Sequence, residues 1–333
     1  MLLNQLLTKL RTRIAPALIL LGGLMLLGNA PLSQAQSWPD KPIKLIIPFA
    51  PGGTTDILGR ALAQQLTIVL KQNVIIENRA GAGGNIGAEA AAKAPADGYT
   101  LILVSGSMMT VNQFLYKKMP IDYAKDLTYI TTVAGGPMVL AVNPNIPANN
   151  VKELIALAKT KNLNFGSAGI GSQVHMAGEN FIYAAGIPAT HIPYKGEALA
   201  MNDLIAGQID FMLGNFPATN GFVKSGQVKA FGVTSKARMK QLPNVPTIAE
   251  AGVPGFENNG WFALAAPTGT PNAIIEQIYN ATGKALDSEV MRASLEQNGY
   301  IGFITKPKEL EAQIKAESAT WDKVIKARNI QAQ

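Results

Sequence analysis

A glycine-rich loop between a buried strand and a helix constrains the fold of this chain more than any other stretch. Residues 43–47, with the sequence IKLII, form a short apolar run rich in β-branched residues, which is typical of a strand covered on both faces in a parallel sheet. The loop itself is PFAPGGTTD, residues 48–56. Apolar residues then recur every four positions, which predicts one buried face of a helix: Leu58, Leu62, Leu66 and Leu70.

The composition of this loop suits the binding of an anion. Gly52 and Gly53 allow a ligand to approach the backbone, and Thr54 and Thr55 supply hydroxyl groups. A helix N-terminus adds unpaired N–H groups and a partial positive charge. The same residues also fit an ordinary strand-to-helix turn, in which Thr54 or Thr55 caps the helix and Asp56 favours its dipole. Taken alone, the loop is consistent with both interpretations.

The order of strand, glycine-rich loop and helix then repeats, which indicates a parallel α/β sheet. Residues 74–76 predict the second strand and residues 99–104 the third, which ends at Ser105 and Ser107. The glycines after the second strand are spaced G-x-G-x-x-x-G over residues 81–87, which does not match a dinucleotide fingerprint. Because the carboxyl ends of parallel strands meet at one edge of a sheet, the first and third loops are expected side by side.

A second set of such units follows a β-rich stretch. Residues 126–142 form this stretch, which we expect to break at Gly135-Gly136-Pro137, and residues 260–266 are a second apolar crossover. Between them, the loop of residues 166–172 again combines glycines and hydroxyl groups before a helix. Two α/β sets joined by two crossovers predict a hinged pair of lobes with a cleft between them. We assign residues 36–137 and 262–333 to lobe 1 and residues 138–261 to lobe 2.

The first 35 residues predict a cleaved signal peptide. Lys9, Arg11 and Arg13 precede an apolar run over residues 14–27, and Ser33 and Ala35 are the small residues of a cleavage site. Cleavage lowers the net charge from +7 to +4 by removing those three basic residues. Such a mild charge does not indicate nucleic-acid binding. The chain contains no cysteine, so disulfides, thiolate metal sites and a lipoprotein anchor are excluded.

Few residues are available for catalysis. His175 and His191 are the two histidines of the chain, and G-x-S-x-G, H-E-x-x-H and Walker A sequences are absent. His175 follows the loop that ends at Ser172, where a structural or ligand-edge hydrogen bond is expected, and His191 lies in an apolar strand. Lys195 suits a Schiff-base lysine or, more simply, a cationic gate beside an anion site. We therefore predict a protein that is not an enzyme and has no metal or cofactor.

An ordered set of motifs resembles the receptor proteins of tripartite tricarboxylate transporters, the periplasmic solute-binding proteins of the Bordetella uptake gene type. The resemblance covers essentially the whole chain after the signal peptide. Its motifs are Trp38-Pro39, residues 48–56, Asn78-Arg79 with residues 81–87, residues 97–101, residues 167–172 with His175, residues 191–196, residues 242–247, residues 250–252, Gly260-Trp261 and residues 266–271.

The resemblance implies a type II periplasmic binding-protein fold that holds one carboxylate of a small ligand through main-chain N–H groups, hydroxyl groups and bridging waters. Carried over by position, the ligand-binding residues are Ala50, Pro51, Gly52, Gly53, Thr54, Asp56, Ser105, Ser107, Ser167, Gly169, Gly171, Ser172, Tyr194, Lys195 and Gly196. The ligand would be a dicarboxylate, tricarboxylate, amino acid or aromatic acid. The implied partners are membrane transporter subunits of the tripartite type, and we expect a periplasmic monomer.

Two features leave the function partly open. The sequence departs from the family pattern at Met108-Met109 and Asn112-Gln113, where methionines favour either a partly apolar ligand or packing beneath the loop. An exported enzyme that acts on a small carboxylic acid, or a chemosensory receptor without a transport role, would present similar loops. Turnover of a bound acid would distinguish the enzyme from the receptor.

Overall fold

The computed structural model describes residues 38–331. Its strands are β1 (Ile43–Ile47), β2 (Val74–Asn78), β3 (Thr100–Ser105), β4 (Leu127–Val142), β5 (Leu163–Ser167), β6 (Ala189–Pro193), β7 (Phe211–Asn215), β8 (Lys229–Val233), β9 (Asn259–Pro267) and β10 (Ile301–Gly302). Its α-helices are α1 (Thr54–Leu70), α2 (Asn85–Ala92), α3 (Gly106–Thr110), α4 (Asn112–Leu115), α5 (Tyr123–Asp126), α6 (Val151–Ala158), α7 (Gln173–Ala185), α8 (Glu197–Ala206), α9 (Phe216–Lys224), α10 (Asn272–Asp287), α11 (Glu289–Gln297) and α12 (Pro307–Arg328). The predicted signal peptide of residues 1–35 lies outside the described residues.

The strands form one ten-stranded sheet in the order β2-β1-β3-β9-β4-β7-β5-β6, with β8 and β10 paired to β4. Strand β1 is parallel to β2 and β3, and β5 is parallel to β6 and β7. Strands β9 and β4 connect these two sets through antiparallel pairing. The predicted α/β class, with two parallel sets and two long connecting strands, is confirmed.

Strand β4 differs from the prediction that it would break at Gly135-Gly136-Pro137. It is one continuous strand of 16 residues, and those three residues pair with Trp261, Gly260 and Asn259 of β9. The register shifts lie on either side of this tripeptide, between Tyr129 and Thr131 and between Thr132 and Ala134 against β9, and between Leu140 and Ala141 against β8. Such bulges bend a strand without ending it, so β4 passes from β9 to β7 and β8 within the sheet.

Helix α1 shows how the first predicted unit folds. Leu58, Leu62 and Leu66 are buried, whereas Leu70 at the helix end is partly exposed. The N-cap residue is Gly53, in an extended conformation and without a side-chain cap, rather than Thr54 or Thr55. Both threonines therefore lie in the first turn of the helix, and the hydroxyl oxygen of Thr54 accepts a hydrogen bond from the N–H of Ala218 at 3.2 Å.

The chain from Lys41 onward packs as one compact unit, and the assignment of two lobes stays a prediction. Apolar side chains from both parallel sets contribute to one buried cluster, including Ile46, Val104, Leu140 and Phe165. Within residues 38–331, no helix combines the length and apolar character needed to span a membrane.

Candidate functional site

The first loop meets the segment that follows β6. The N–H of Ala50 donates a hydrogen bond to the carbonyl oxygen of Lys195 at 3.2 Å. Beside this bond, a Cβ atom placed on Gly196 would lie 2.8 Å from Ala50 Cβ and 3.0 Å from Ala50 N. Only glycine allows the two backbones to approach this closely. Two predicted binding segments, separated by more than 140 residues of sequence, are therefore in direct contact.

Asp56 holds the first loop in shape. Its carboxylate accepts hydrogen bonds from Gly52 N at 3.0 Å, from Asn78 Nδ2 at 2.9 Å, and from two nitrogens of Arg60 at 2.9 Å. Burial raises the pKa of Asp56, but the hydrogen bonds from Arg60, Gly52 and Asn78 outweigh this effect and leave the pKa below its ordinary value. Asp56 is thus ionised and stabilises the conformation of the loop through these hydrogen bonds, and its contact with a ligand stays a prediction.

A small cavity lies where the loops converge. It encloses about 20 Å³, which is room for about one water molecule. Four predicted residues line it, namely Gly53, Thr54, Ser105 and Ser172. The remaining lining residues are Phe49, Thr55, Ala168, Gln173, Val174, Glu197, Asn215 and Phe262. A dicarboxylate needs more space than this, so the surrounding segments must separate for such a ligand to enter.

Glu197 is the most notable cavity residue that the sequence prediction missed. It is 4% exposed, and its carboxylate accepts hydrogen bonds from Thr54 N at 3.2 Å, Asn215 N at 2.5 Å and Asn215 Nδ2 at 3.3 Å. Burial raises the pKa of Glu197, and the donors of Thr54 and Asn215 oppose that rise. A carboxylate of the protein itself therefore binds the first free N–H of α1, where the sequence predicted a ligand anion.

Asn215 and Gln173 were also missed. Asn215 ends β7, so it is a polar residue at the carboxyl edge of the sheet, the signal that identified Ser105. Its Oδ1 accepts a hydrogen bond from the hydroxyl of Tyr300 at 3.0 Å. Gln173 directly follows the predicted Ser172 at the start of α7, and its Nε2 donates to the carbonyl oxygen of Trp261 at 2.7 Å. A rule that included strand-end amides would have found Asn215, and extending the predicted loop by one residue would have found Gln173.

The loop of residues 166–172 is held by its own hydrogen bonds. The hydroxyl of Ser167 contacts both the N–H and the carbonyl oxygen of Gly169, at 3.0 and 3.2 Å. Gly169 has a φ of +120°, and a Cβ atom there would lie 2.9 Å from the carbonyl oxygen of Tyr194. The N–H of Gly171 donates to Nδ1 of His175 at 3.1 Å. Ser167, Gly169 and Gly171 are not among the residues that line the cavity.

Ser172 is the N-cap of α7, and its hydroxyl oxygen accepts the N–H of His175 at 3.2 Å. We expect Ser172→Ala to lower the free energy of unfolding by about 1 kcal/mol through loss of this cap. If the hydroxyl proton also binds the ligand, affinity falls by about 5–30-fold, the equivalent of 1–2 kcal/mol. Urea unfolding and isothermal titration measure the two effects separately.

Ser288→Ala is the control for this change, because Ser288 caps α11 with the same 3.2 Å bond, to Met291 N, and its hydroxyl also donates to the carbonyl oxygen of Ala285 at 2.8 Å. The control is expected to lose at least as much stability and to bind with unchanged affinity. Equal affinity of Ser172→Ala and the control would remove the Ser172 hydroxyl from the ligand contacts.

The other predicted residues surround the cavity without lining it. Ser107 lies 3.4 Å from Ser105 and lines a neighbouring space of about 50 Å³. The hydroxyl of Tyr194 donates to Asp203 at 2.6 Å, and the side chain of Lys195 is exposed. Ala50, Pro51, Gly52, Asp56, Ser167, Gly169, Gly171 and Gly196 complete this surrounding group.

Met108 and Met109 are almost fully buried in the main apolar cluster. This burial favours packing beneath the loop over contact with an apolar ligand. Asn112, at the other point of departure from the family pattern, donates to Gly83 O at 3.1 Å and to Asn85 Oδ1 at 2.9 Å. Neither departure therefore places an unusual side chain in the cavity.

Ser167 and the two histidines form a buried polar cluster beside the loop. Ser167 Oγ lies 2.6 Å from His191 Nε2, and the two imidazole rings stack with centroids 4.0 Å apart. The contact resembles a nucleophile with its base, but Ser167 is completely buried. Burial and the nearby His175 lower the pKa of His191 to about 2, which makes it a poor base at neutral pH. The geometry favours a structural role for this pair.

A larger groove of about 650 Å³ lies elsewhere and contains none of the predicted residues. Arg238, Arg292, Tyr300 and Phe303 are among its walls. It lacks the loops at strand ends that combine glycines with hydroxyl groups, so the small cavity is the better candidate site. In the part of the chain that the structure describes, no cluster of three or more His, Asp or Glu side chains is arranged to hold a metal ion.

Residues 58–330 match the protein family described as tripartite tricarboxylate transporter family receptor. Protein BugT of Bordetella pertussis is 37% identical over 300 residues, which are 89% of this chain and 92% of BugT. The periplasmic binding protein BugD is 33% identical, with 89% of this chain and 100% of BugD covered and a TM-score of 0.85. These likenesses extend over nearly the whole described structure.

Two structures of relatives contain a bound acid. Rpa4515 of Rhodopseudomonas palustris with adipate is 36% identical, with coverage of 88% and 99% and a TM-score of 0.84. MatC of the same species with bound malate is 30% identical, with coverage of 86% and 100% and a TM-score of 0.82. The family consists of binding proteins rather than enzymes. This chain belongs to the tripartite tricarboxylate transporter receptor family.

Proposed function

We propose that this protein is a periplasmic receptor that captures a small carboxylate and delivers it to the membrane subunits of a tripartite tricarboxylate transporter. One observation carries the proposal: in a chain of this family, glycine and hydroxyl loops from both parallel strand sets converge on one enclosed cavity. The relatives with adipate and malate support a carboxylate as the ligand. The signal-peptide pattern of residues 1–35 supports export.

Binding would require the cavity to open and close. We propose that residues 36–137 and 262–333 form one lobe and residues 138–261 the other, with β4 and β9 as the hinge. The contacts between Ala50 and Lys195 and between Thr54 and Glu197 would then be contacts of the closed state. Closure matters because a buried donor discriminates between ligands only when water is excluded and an unpaired polar group becomes costly.

We also propose that the receptor carries out no chemical turnover. This view is supported by the lack of G-x-S-x-G and H-E-x-x-H sequences in the chain and by the low pKa of His191. The family, whose members are receptors, also supports it. Release of a chemically altered acid after incubation with the purified protein would contradict it.

Small carboxylic acids are expected to raise the melting temperature, whereas their esters are not, because an ester lacks the anionic oxygens that N–H and hydroxyl donors bind. Ligand at 100 times its dissociation constant adds about 2.7 kcal/mol of stability. For roughly 300 residues with an unfolding entropy of about 2.1 cal/mol/K each, the shift is about 4 °C. A thermal-shift panel that includes adipate, malate and their dimethyl esters measures it.

The salt dependence provides a control. In an enclosed site without an arginine clamp, moderate salt is expected to reduce the shift only slightly, whereas an exposed ion-pair site would lose most of it. Equal shifts with acids and esters, or a shift with nucleotides alone, would contradict the carboxylate-receptor proposal.

A further inference from the structure

We propose that Tyr116 is a positioning residue that holds the ligand-bound, closed state together from outside the cavity. The proposal rests on the receptor function and the two lobes proposed above. It assigns a role in ligand retention to a residue that is not among those that line the cavity. Loss of the Tyr116 hydroxyl is therefore expected to speed the release of the ligand without weakening the ligand-free protein.

The first observation is a hydrogen bond between the two proposed lobes. The hydroxyl of Tyr116 donates to the carbonyl oxygen of Ile170 at 2.9 Å. Tyr116 belongs to the lobe that contains residues 36–137, and Ile170 lies in the loop of residues 166–172, in the other lobe. Burial raises the pKa of Tyr116 to about 12, so the hydroxyl keeps its proton at neutral pH and remains a donor.

A glycine makes room for this bond. A Cβ atom on Gly83 would overlap the carbonyl oxygen of Ile170 and would lie 2.8 Å from the hydroxyl oxygen of Tyr116. Gly83 also has a φ of +59°, in the left-handed region that favours glycine. The turn of residues 82–84 and the loop of residues 166–172 therefore meet at backbone distance, although they belong to different lobes.

Helix α4 places Tyr116 beside this turn. Tyr116 directly follows α4, and its N–H donates to the carbonyl oxygen of Asn112 at 3.0 Å. The side chain of Asn112 in turn donates from Nδ2 to the carbonyl oxygen of Gly83 at 3.1 Å. Asn112 and Gly83 belong to the same lobe as Tyr116. Asn112 thus fixes the turn within one lobe, and Tyr116 supplies the bond that crosses to the other.

Apolar contacts shield the crossing bond from water. Tyr116 and Ile170 both pack against a cluster that includes Leu115, just before Tyr116, and Met176 of α7 in the other lobe. Leu115 and Met176 are buried. A hydrogen bond in such surroundings is stronger than one exposed to water, so breaking it opposes the separation of the lobes.

The bond is expected to act on release rather than on capture. A ligand enters the open receptor, in which the lobes are apart and Tyr116 cannot reach Ile170. After closure, the bond must break before the ligand leaves. Changes at a binding interface appear mostly in the dissociation rate rather than in the association rate.

Tyr116→Phe tests the proposal, because it removes the hydroxyl and keeps the ring in the apolar cluster. Isothermal titration and stopped-flow kinetics are carried out with adipate, malate and aspartate as probes. We expect the dissociation constant to rise about 5–30-fold, through faster dissociation at an unchanged association rate. The melting temperature of the ligand-free variant is expected to equal that of the wild type, since the open state lacks the bond.

Tyr129→Phe is the control for the chemical change. Tyr129 is buried in β4, and its hydroxyl has no hydrogen-bond partner within the described structure. The control loses the same atom from the same proposed lobe without losing a bond between the lobes. It is expected to bind the probes with wild-type affinity and rates.

A wild-type dissociation rate in Tyr116→Phe would overturn the role of Tyr116 and leave the carboxylate receptor intact. A lower melting temperature of the ligand-free variant at that unchanged rate would identify Tyr116 as a residue of the fold alone. Equally faster release in Tyr129→Phe would also overturn the role, because the bond between the lobes would not be its cause. If the wild type bound none of the probes, both proposals would fail together.

Discussion

Replacing Gly196 by valine is expected to weaken ligand binding on the order of 100-fold in a protein that still folds. A Cβ atom at this position would lie 2.8 Å from Ala50 Cβ and 3.0 Å from Ala50 N. Overpacking of this kind costs about 1–3 kcal/mol, and the upper end applies because backbone atoms of the first loop cannot rotate away. Isothermal titration with adipate, malate and aspartate measures the loss.

The expected defect lies in closure rather than in folding. Gly196 has a φ of 168°, an extended conformation that any residue adopts. Replacing glycine by valine at this N-cap position of α8 lowers the free energy of unfolding by about 1 kcal/mol. Gly221→Val is the matched control, because a Cβ atom at Gly221 meets nothing within 4 Å. Full affinity in Gly196→Val would mean that the contact between Ala50 and Gly196 is not part of the ligand-bound state.

Acidification is expected to destabilise the protein through His191, by about 2.5 kcal/mol between pH 7 and pH 4.5. Burial and the neighbouring His175 lower the pKa of His191 from 6.5 to about 2. The unfolded chain therefore binds a proton below pH 6.5 that the folded protein does not accept. Each pH unit below 6.5 lowers the free energy of unfolding by about 1.4 kcal/mol. The contribution of neutral His191 to stability is therefore complete above pH 6.5 and is lost as the pH falls below it.

His191→Gln is expected to reduce this acid sensitivity by the same amount, because glutamine still offers a polar partner to Ser167 but does not titrate. Chemical unfolding of the wild type and the variant at pH 7 and pH 4.5 measures it. Acidic groups elsewhere titrate equally in both proteins, so the difference between them isolates His191. Equal losses of stability in the two proteins would show that His191 is protonated in the folded state.

Much of the fold could be predicted from local patterns. The apolar run of residues 43–47 and the leucines of α1 identify a strand and a helix because their periods are set by backbone geometry alone. Likewise, hydroxyl groups at the ends of parallel strands must share one edge of the sheet, which predicted Ser105 near Thr54. The predicted break in β4 was wrong, because pairing with β9 keeps the strand continuous through Gly135-Gly136-Pro137.

The cavity itself was decided by contacts between segments distant in sequence. Glu197 follows Lys195 and Gly196 at the start of a helix, and no local pattern indicates that its carboxylate is buried against Thr54, 143 residues away. Likewise, the unpartnered oxygen of Gln173 and the closeness of Ala50 and Gly196 exist only once both strand sets are assembled. The sequence alone determined which loops carry glycines and hydroxyl groups, because that is a local property. Only the tertiary structure decided which acceptors face them, since burial depends on how the two halves pack.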